Sequence, residues 1–308
     1  MTDGCASQFI TAPDGLKLHI CSYGPRPAEG LPVVCLPGLA RTGADFDALA
    51  TALSADPKRP RCVVTMDYRG RGRSDYDRDP LNYNLATELA DVLAVLSALD
   101  ISAAVFVGTS RGGILTMLLA AAQPTVIAGV VLNDIGPVIE VPGLARIKSY
   151  VGKLPEPKSF QDGAEILRQL FGPQFPKLSE DDWLAFSNRS FKQQDGRLVP
   201  TYDVRLAETL AAIDLESPIE PLWAEFDALA GVPVMVIRGA NSDLLSPATV
   251  EAMRARHPGL EVIEVPDEGH APLLVEPSII GDIGAFVATC ERLKASSNSV
   301  VMGSATGS

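Results

Sequence analysis

Gly108-Thr109-Ser110-Arg111-Gly112 sets a serine hydroxyl between two residues that have no side chain. A short apolar run, Val105-Phe106-Val107, leads into it, and a longer one, Ile114 to Ala122, follows at once. A strand that turns sharply into a helix at the serine would expose the hydroxyl, with small neighbours keeping nearby backbone clear. The helix N-terminus would offer N–H groups and a positive dipole end to a developing oxyanion. This suits nucleophilic attack by Ser110, whose hydroxyl needs a base within hydrogen-bond reach. The alternative is an ordinary β–α turn with an exposed serine. Of the three histidines, His19 falls on a first hairpin and His257 precedes Pro258 at a helix end, so both read as surface or capping residues. His270, in a Gly269-His270 loop after a late strand, is the candidate base.

Composition bounds the rest. A chain of 308 residues with 46% apolar content can bury a sizeable core as one α/β domain with an insertion. A formal net charge of −12, without a basic run, argues against nucleic-acid and anionic-membrane partners. Cys5, Cys21, Cys35, Cys62 and Cys290 are an odd, widely spaced set that reads as reduced thiols in a cytoplasmic protein. No Cys, His and carboxylate set has metal-ligand spacing, so neither metal nor cofactor is expected. The N-terminus lacks a basic and an apolar signal region, and Ile114 to Ala122 is too short to cross a bilayer.

Strand and helix patterns alternate along the chain. Phe9 to Ala12 and Leu16 to Ser22 flank an Asp14-Gly15 hairpin turn. Buried strands follow at Leu31 to Leu36, Arg61 to Met66, Val105 to Thr109 and Ile127 to Asn133. Between them, Leu85, Leu89, Val92, Leu93 and Leu96 share one helical face. Residues 136–220 show helices and loops without a convincing strand; Ser159 is a candidate N-cap, and Ser179 with Asp182 spells a capping box. Alternation resumes with strands at Val232 to Ile237 and Leu260 to Val265, then a helix from Pro277 to Leu293. The expected fold is a doubly wound, mostly parallel α/β sheet with helices on both faces. Residues 1–135 and 221–294 would form the core, 136–220 a helical cap inserted after the sixth strand, and 295–308 a disordered tail.

The order of these landmarks resembles the α/β-hydrolase fold family over nearly the whole chain: Pro37-Gly38 after the third strand, Asp67 to Asp75 after the fourth, the elbow at Ser110, then an acid and His270. The resemblance implies a Ser–acid–His triad, with Asp243 favoured by position and Asp134 the rival, because some members carry the acid after the preceding core strand. It implies an oxyanion hole made by the backbone N–H groups of Leu39 and Arg111. Pro37 stands where many members have histidine, but the donor lies past the glycine, so the hole need not suffer. The Asp67 to Asp75 segment would pack a tight turn, its arginines tying loops together. Arg41 and Arg111 flank the oxyanion loops. Each is expected either to pair with an acid such as Glu140 or to bind a substrate carboxylate or carbonyl. Of the cap aromatics, Tyr150 and Trp183 are candidate pocket residues, although helical spacing also fits a cap core.

The implied function is a serine hydrolase of carboxylic esters or lactones, acting on a small-molecule substrate through an acyl-enzyme on Ser110. Hydrolysis of carbon–carbon bonds in ring-cleavage products uses the same triad and a cap, and is the alternative. Perhydrolase or haloperoxidase chemistry, usually without a large cap, and a non-catalytic ligand receptor on this fold rank lower.

Overall fold

The computed structural model describes residues 4–26 and 30–305, with side chains through residue 296. The chain opens with a hairpin of β1 (Cys5–Thr11) and β2 (Lys17–Tyr23), then runs β3 (Val33–Leu36), α1 (Asp47–Ser54), β4 (Val63–Met66), α2 (Leu85–Ala98), β5 (Ala104–Thr109), α3 (Arg111–Ala122) and β6 (Ile127–Asn133). The insertion that follows holds α4 (Val141–Tyr150), α5 (Phe160–Phe171), α6 (Glu180–Ser190), β7 (Phe191–Gln194), β8 (Arg197–Pro200) and α7 (Leu206–Ala211). Alternation resumes with α8 (Trp223–Asp227), β9 (Val234–Gly239), α9 (Pro247–Arg256), β10 (Glu261–Val265) and α10 (Pro277–Ala305).

Eight strands form one sheet in the order β1-β2-β4-β3-β5-β6-β9-β10, parallel from β4 to β10 and antiparallel in the first hairpin and its junction with β4. The central strands read as unbroken apolar runs because both faces are covered. Alternate side chains go to opposite sides. Val34, Leu36, Phe106 and Leu132 pack with Val92 of α2 and Leu115 of α3, whereas Val33, Cys35, Val105 and Val131 pack with Leu49 of α1 and Phe286 of α10. From β3 the sheet continues to β4 on one side and to β5 on the other. Loops leaving β3 and β5 at their carboxyl ends therefore diverge and open a crevice, the usual ligand position in such sheets.

The insertion has its own apolar cluster, built from residues such as Leu167, Phe171, Trp183, Phe186, Phe191 and Leu198. Ser159 caps α5, and Ser179 with Asp182 forms the expected capping box at α6. The strandless cap needs correction, since β7 and β8 pair antiparallel across Asp195-Gly196. Both turn residues have positive φ (51° and 77°), which the tightest hairpin turns require. The tail also needs correction: α10 continues through Ala305, and residues 306–308 lie outside the described residues. Cys5 and Cys21 are not free thiols. The hairpin register sets Cys21 opposite Ser7, so Cys5 lies diagonally across with a Cα separation of 5.6 Å, and the two form a disulfide. Cys35, Cys62 and Cys290 are free and buried. No described helix is long and apolar enough to cross a membrane.

The turn after β4 is held by buried charge. The Arg69 guanidinium, 1% exposed, donates to both oxygens of Asp91 on α2 (2.7 and 2.6 Å) and to Asp77 and Asp14 (2.7 and 2.8 Å). One side chain thus joins the first hairpin turn, the β4 loop and α2. Removing one partner of a buried pair leaves the other charge uncompensated, at a cost of about 3 kcal/mol or more. Asp91→Ala should lower unfolding stability by about 3 kcal/mol in urea titration; a loss below about 1 kcal/mol would show that Asp14 and Asp77 suffice for Arg69.

Candidate active site

Ser110 stands between the end of β5 and the first turn of α3, with φ 51° and ψ −113°. A non-glycine residue in this region carries strain of about 1–3 kcal/mol, kept only where the surroundings over-determine it. The surroundings do. The Ser110 N–H donates to the Asn133 carbonyl at the end of β6, and the Ser110 carbonyl accepts from Gly113 and Ile114. A Cβ on Gly108 would meet the Gly113 nitrogen at 2.5 Å, and one on Gly112 would meet the Leu36 carbonyl oxygen at 2.0 Å. Strand, turn and helix can approach this closely only with hydrogen at both positions.

The serine Oγ lies 2.9 Å from Nε2 of His270, on the loop after β10. Nδ1 of the same ring is 2.8 Å from Asp134 Oδ2, with His270 6% and Asp134 0% exposed at the side chain. Asp134 directly follows β6, the strand between β5 and β9. Its carboxylate also accepts from the Gly239 N–H (2.8 Å) and the Ser242 hydroxyl (2.5 Å). The carboxylate on the histidine is therefore Asp134, and the expectation of Asp243 there needs correction. Asp243 faces the cap instead: Arg146 of α4 donates to its two oxygens at 2.6 and 2.8 Å. Neither of the other histidines meets the serine. His19 is buried against Asp67 Oδ2 (2.8 Å) rather than lying at the surface, and His257, the C-cap of α9, contacts the Val232 carbonyl.

The loop after β3 completes the crevice. A Cβ on Gly38 would come within 3.9 Å of the Ser110 Cβ, so the Gly38-Leu39 backbone passes beside the serine. The Arg111 N–H is the first of α3 and has no partner within its helix. These are the two backbone donors expected at an oxyanion. Behind them lies a group that sequence reasoning missed. Glu88 of α2, fully buried, pairs with both Arg71 (2.8 Å) and the Arg111 side chain. Arg71 in turn donates to the Leu39 carbonyl (2.8 Å). One carboxylate thereby steadies both loops. Glu88 is four residues from Val92 on the same helix face, but a lone acid there reads like a solvated charge until Arg71 and Arg111 are seen to converge on it.

The Arg111 side chain consequently points away from the crevice toward Glu88, not toward Glu140 or a ligand. Arg41 does line the cavity, but its fork is engaged by Asp45 (2.7 and 2.5 Å) and by the Ser190 hydroxyl (2.7 Å). Tyr150 also lines it. Trp183 does not; it stacks on Phe186 within the cap cluster. Asn133 and Gln174 also escaped notice. The Asn133 amide links Thr109 to the Pro272 carbonyl (3.0 and 2.9 Å), and Gln174 Oε1 accepts from the His270 N–H (3.3 Å). Between core and cap lies a cavity of about 120 Å³, lined by Leu154, Leu167, Phe171 and Phe186 together with Ser110 and His270. Among the described residues no group of three His, Cys, Asp or Glu could hold a metal ion.

Comparison with known proteins agrees with this architecture. Residues 33–278 match the model of the alpha/beta hydrolase family. The chain belongs to that family. A 3-hydroxybutyrate-oligomer hydrolase from Cupriavidus necator is 34% identical over 281 residues, covering 88% of this chain and 94% of the relative. A solved alpha/beta hydrolase from Novosphingobium aromaticivorans superposes with a TM-score of 0.86 at 40% identity, covering 92% of this chain and 98% of that one. A 2-(acetamidomethylene)succinate hydrolase from Mesorhizobium japonicum is 26% identical over 243 residues, covering 79% and 82%. These relatives of the alpha/beta hydrolase chain are hydrolases.

The Arg146–Asp243 pair joins cap and core through a titratable group. Burial alone would push the Asp243 carboxyl up, but the Arg146 hydrogen bonds and charge outweigh it and hold it below its ordinary 3.8. A carboxyl lowered on folding adds stability above its unfolded value and loses it as the pH falls through the folded one. The stability advantage of the wild type over Asp243→Asn should be full above about pH 5 and shrink below about pH 4 in urea unfolding. An advantage unchanged down to about pH 3 would show that the contact does not depend on the charge.

Proposed function

We propose that this hydrolase cleaves carboxylic esters through an acyl-enzyme on Ser110. The observation that carries the reading is the unbroken hydrogen-bonded line from Ser110 Oγ through His270 to the buried Asp134, opening on an apolar cavity. His270 Nε2 takes the serine proton as Oγ attacks the ester carbonyl, and Asp134 keeps Nδ1–H oriented and balances the imidazolium. The tetrahedral oxyanion accepts from the Leu39 and Arg111 N–H groups. His270 returns the proton to the departing alcohol, then deprotonates the water that releases the acid and frees Ser110. Likeness to a 3-hydroxybutyrate-oligomer hydrolase supports the ester class, because hydroxy acids oligomerise through ester bonds.

A short-chain p-nitrophenyl ester tests the reading. Wild type should release p-nitrophenol with a pre-steady-state burst, and Ser110→Ala should lose about four orders of magnitude in kcat or more. Turnover surviving in Ser110→Ala would overturn it. Glu88 should act on kcat rather than KM, because the donors it steadies matter most to the transition-state oxyanion. Glu88→Gln, measured on folded protein, should lower kcat about tenfold with KM within about threefold. An unchanged kcat would remove Glu88 from the positioning of the two loops.

A further inference from the structure

Three charged side chains reach the walls of the cavity over Ser110: Arg41, Asp45 and Arg189. Asp45 is a single carboxylate, and Arg41 occupies it with Nε and Nη2 while its Nη1 serves Ser190. Arg189, at the end of α6, is left with little. Its Nε lies 3.5 Å from Asp45 Oδ1, and its guanidinium makes no hydrogen bond to any described residue although it is only 24% exposed. The other acids near enough to act on its charge are Asp47 and Asp182. Asp47 accepts from the Tyr23 hydroxyl, and Asp182 is tied to Ser179 in the capping box. The apolar surroundings and the like charge of Arg41 leave Arg189 under-compensated: burial is the largest influence on it and draws its pKa down despite the nearby carboxylates.

A guanidinium stays protonated in proteins and presents five N–H donors in a planar fork. Holding that fork in a largely apolar cavity with one 3.5 Å ion pair and no hydrogen bond is costly, and a carboxylate is the planar anion that fits it with two parallel bonds. Arg41 and Arg111 were the arginines the sequence suggested for this task, and their forks are engaged by Asp45 and Glu88. We propose that Arg189 is the recognition point for a substrate carboxylate, so that the cavity takes esters bearing a free carboxylate away from the scissile bond. The proposal rests on the ester-hydrolase reading of Ser110 and adds the class of acid it handles. Asp45 then has a second task, anchoring Arg41 so that one guanidinium remains for the ligand.

Binding separates this inference from the chemistry. In Ser110→Ala protein, isothermal titration with the monoethyl esters of succinic through suberic acid is compared with titration of their diethyl esters. At least one monoanion should bind about tenfold tighter or more than its neutral diester. The preference should disappear in Ser110→Ala/Arg189→Gln and survive in part in Ser110→Ala/Arg189→Lys, which keeps the charge and loses the fork. Equal affinities for every acid and its diester, or a preference that survives Arg189→Gln, would overturn the assignment. Turnover of the same esters by wild type is read separately: failure to release ethanol from any of them would count against the ester reading, while the titration still decides what Arg189 binds.

Discussion

A carboxylate wholly removed from water needs protein groups to replace the hydrogen bonds it has lost, and the Asp134 carboxylate finds them on three chain segments at once. The Gly239 N–H comes from the end of β9, the Ser242 hydroxyl from the loop beyond it, and the His270 ring from the loop after β10. A group so held cannot be shifted without unpairing something buried. The imidazole inherits that rigidity, and its other nitrogen is thereby aimed at Ser110. The sheet supplies the rest of the constraint, because β5, β6 and β9 are neighbours and bring serine and acid to adjacent carboxyl ends.

The same device recurs around the site with other charges. Arg69 gathers three acids beneath the β4 loop, Glu88 gathers two arginines behind the loops that follow β3 and β5, and Asp45 gathers two more at the cap. Each cluster joins segments distant in sequence, so loop positions that apolar packing would leave soft become fixed. The clusters differ in completeness. Arg69 and Glu88 lie outside the cavity, with every opposite charge of their clusters within 2.8 Å, whereas Asp45 lies on its wall and meets one of its two arginines only at 3.5 Å. An unequal pairing at that place is what a site for an anion needs before the anion arrives.

Much of this was legible in the sequence, for identifiable reasons. The parallel core was readable because strands covered on both faces become apolar runs such as Val33 to Leu36 and Ile127 to Asn133. The elbow was readable because close approach of strand and helix tolerates only glycine at 108 and 112. The cap hairpin was available too, in Asp195-Gly196, but Lys192 and Arg197 interrupt the apolar alternation on either side. The choice between Asp134 and Asp243 was not available, since both follow core strands at the same edge of the sheet. What separates them is Arg146, a cap residue 97 positions from Asp243, whose reach no local pattern reveals. Glu88 and the Cys5–Cys21 bond escaped in the same way, through partners set by tertiary placement or by hairpin register.

The central claim, that Asp134 and not Asp243 orients His270 toward Ser110, is open to a direct kinetic test. Fluorophosphonate adduct formation, followed by intact mass with the label mapped to Ser110, reports the nucleophile's activation without assuming a substrate. Asp134→Asn should slow phosphonylation by about three orders of magnitude or more, while Asp243→Asn keeps it within about threefold of wild type. The opposite ranking, or an adduct on any residue other than Ser110, would contradict the claim.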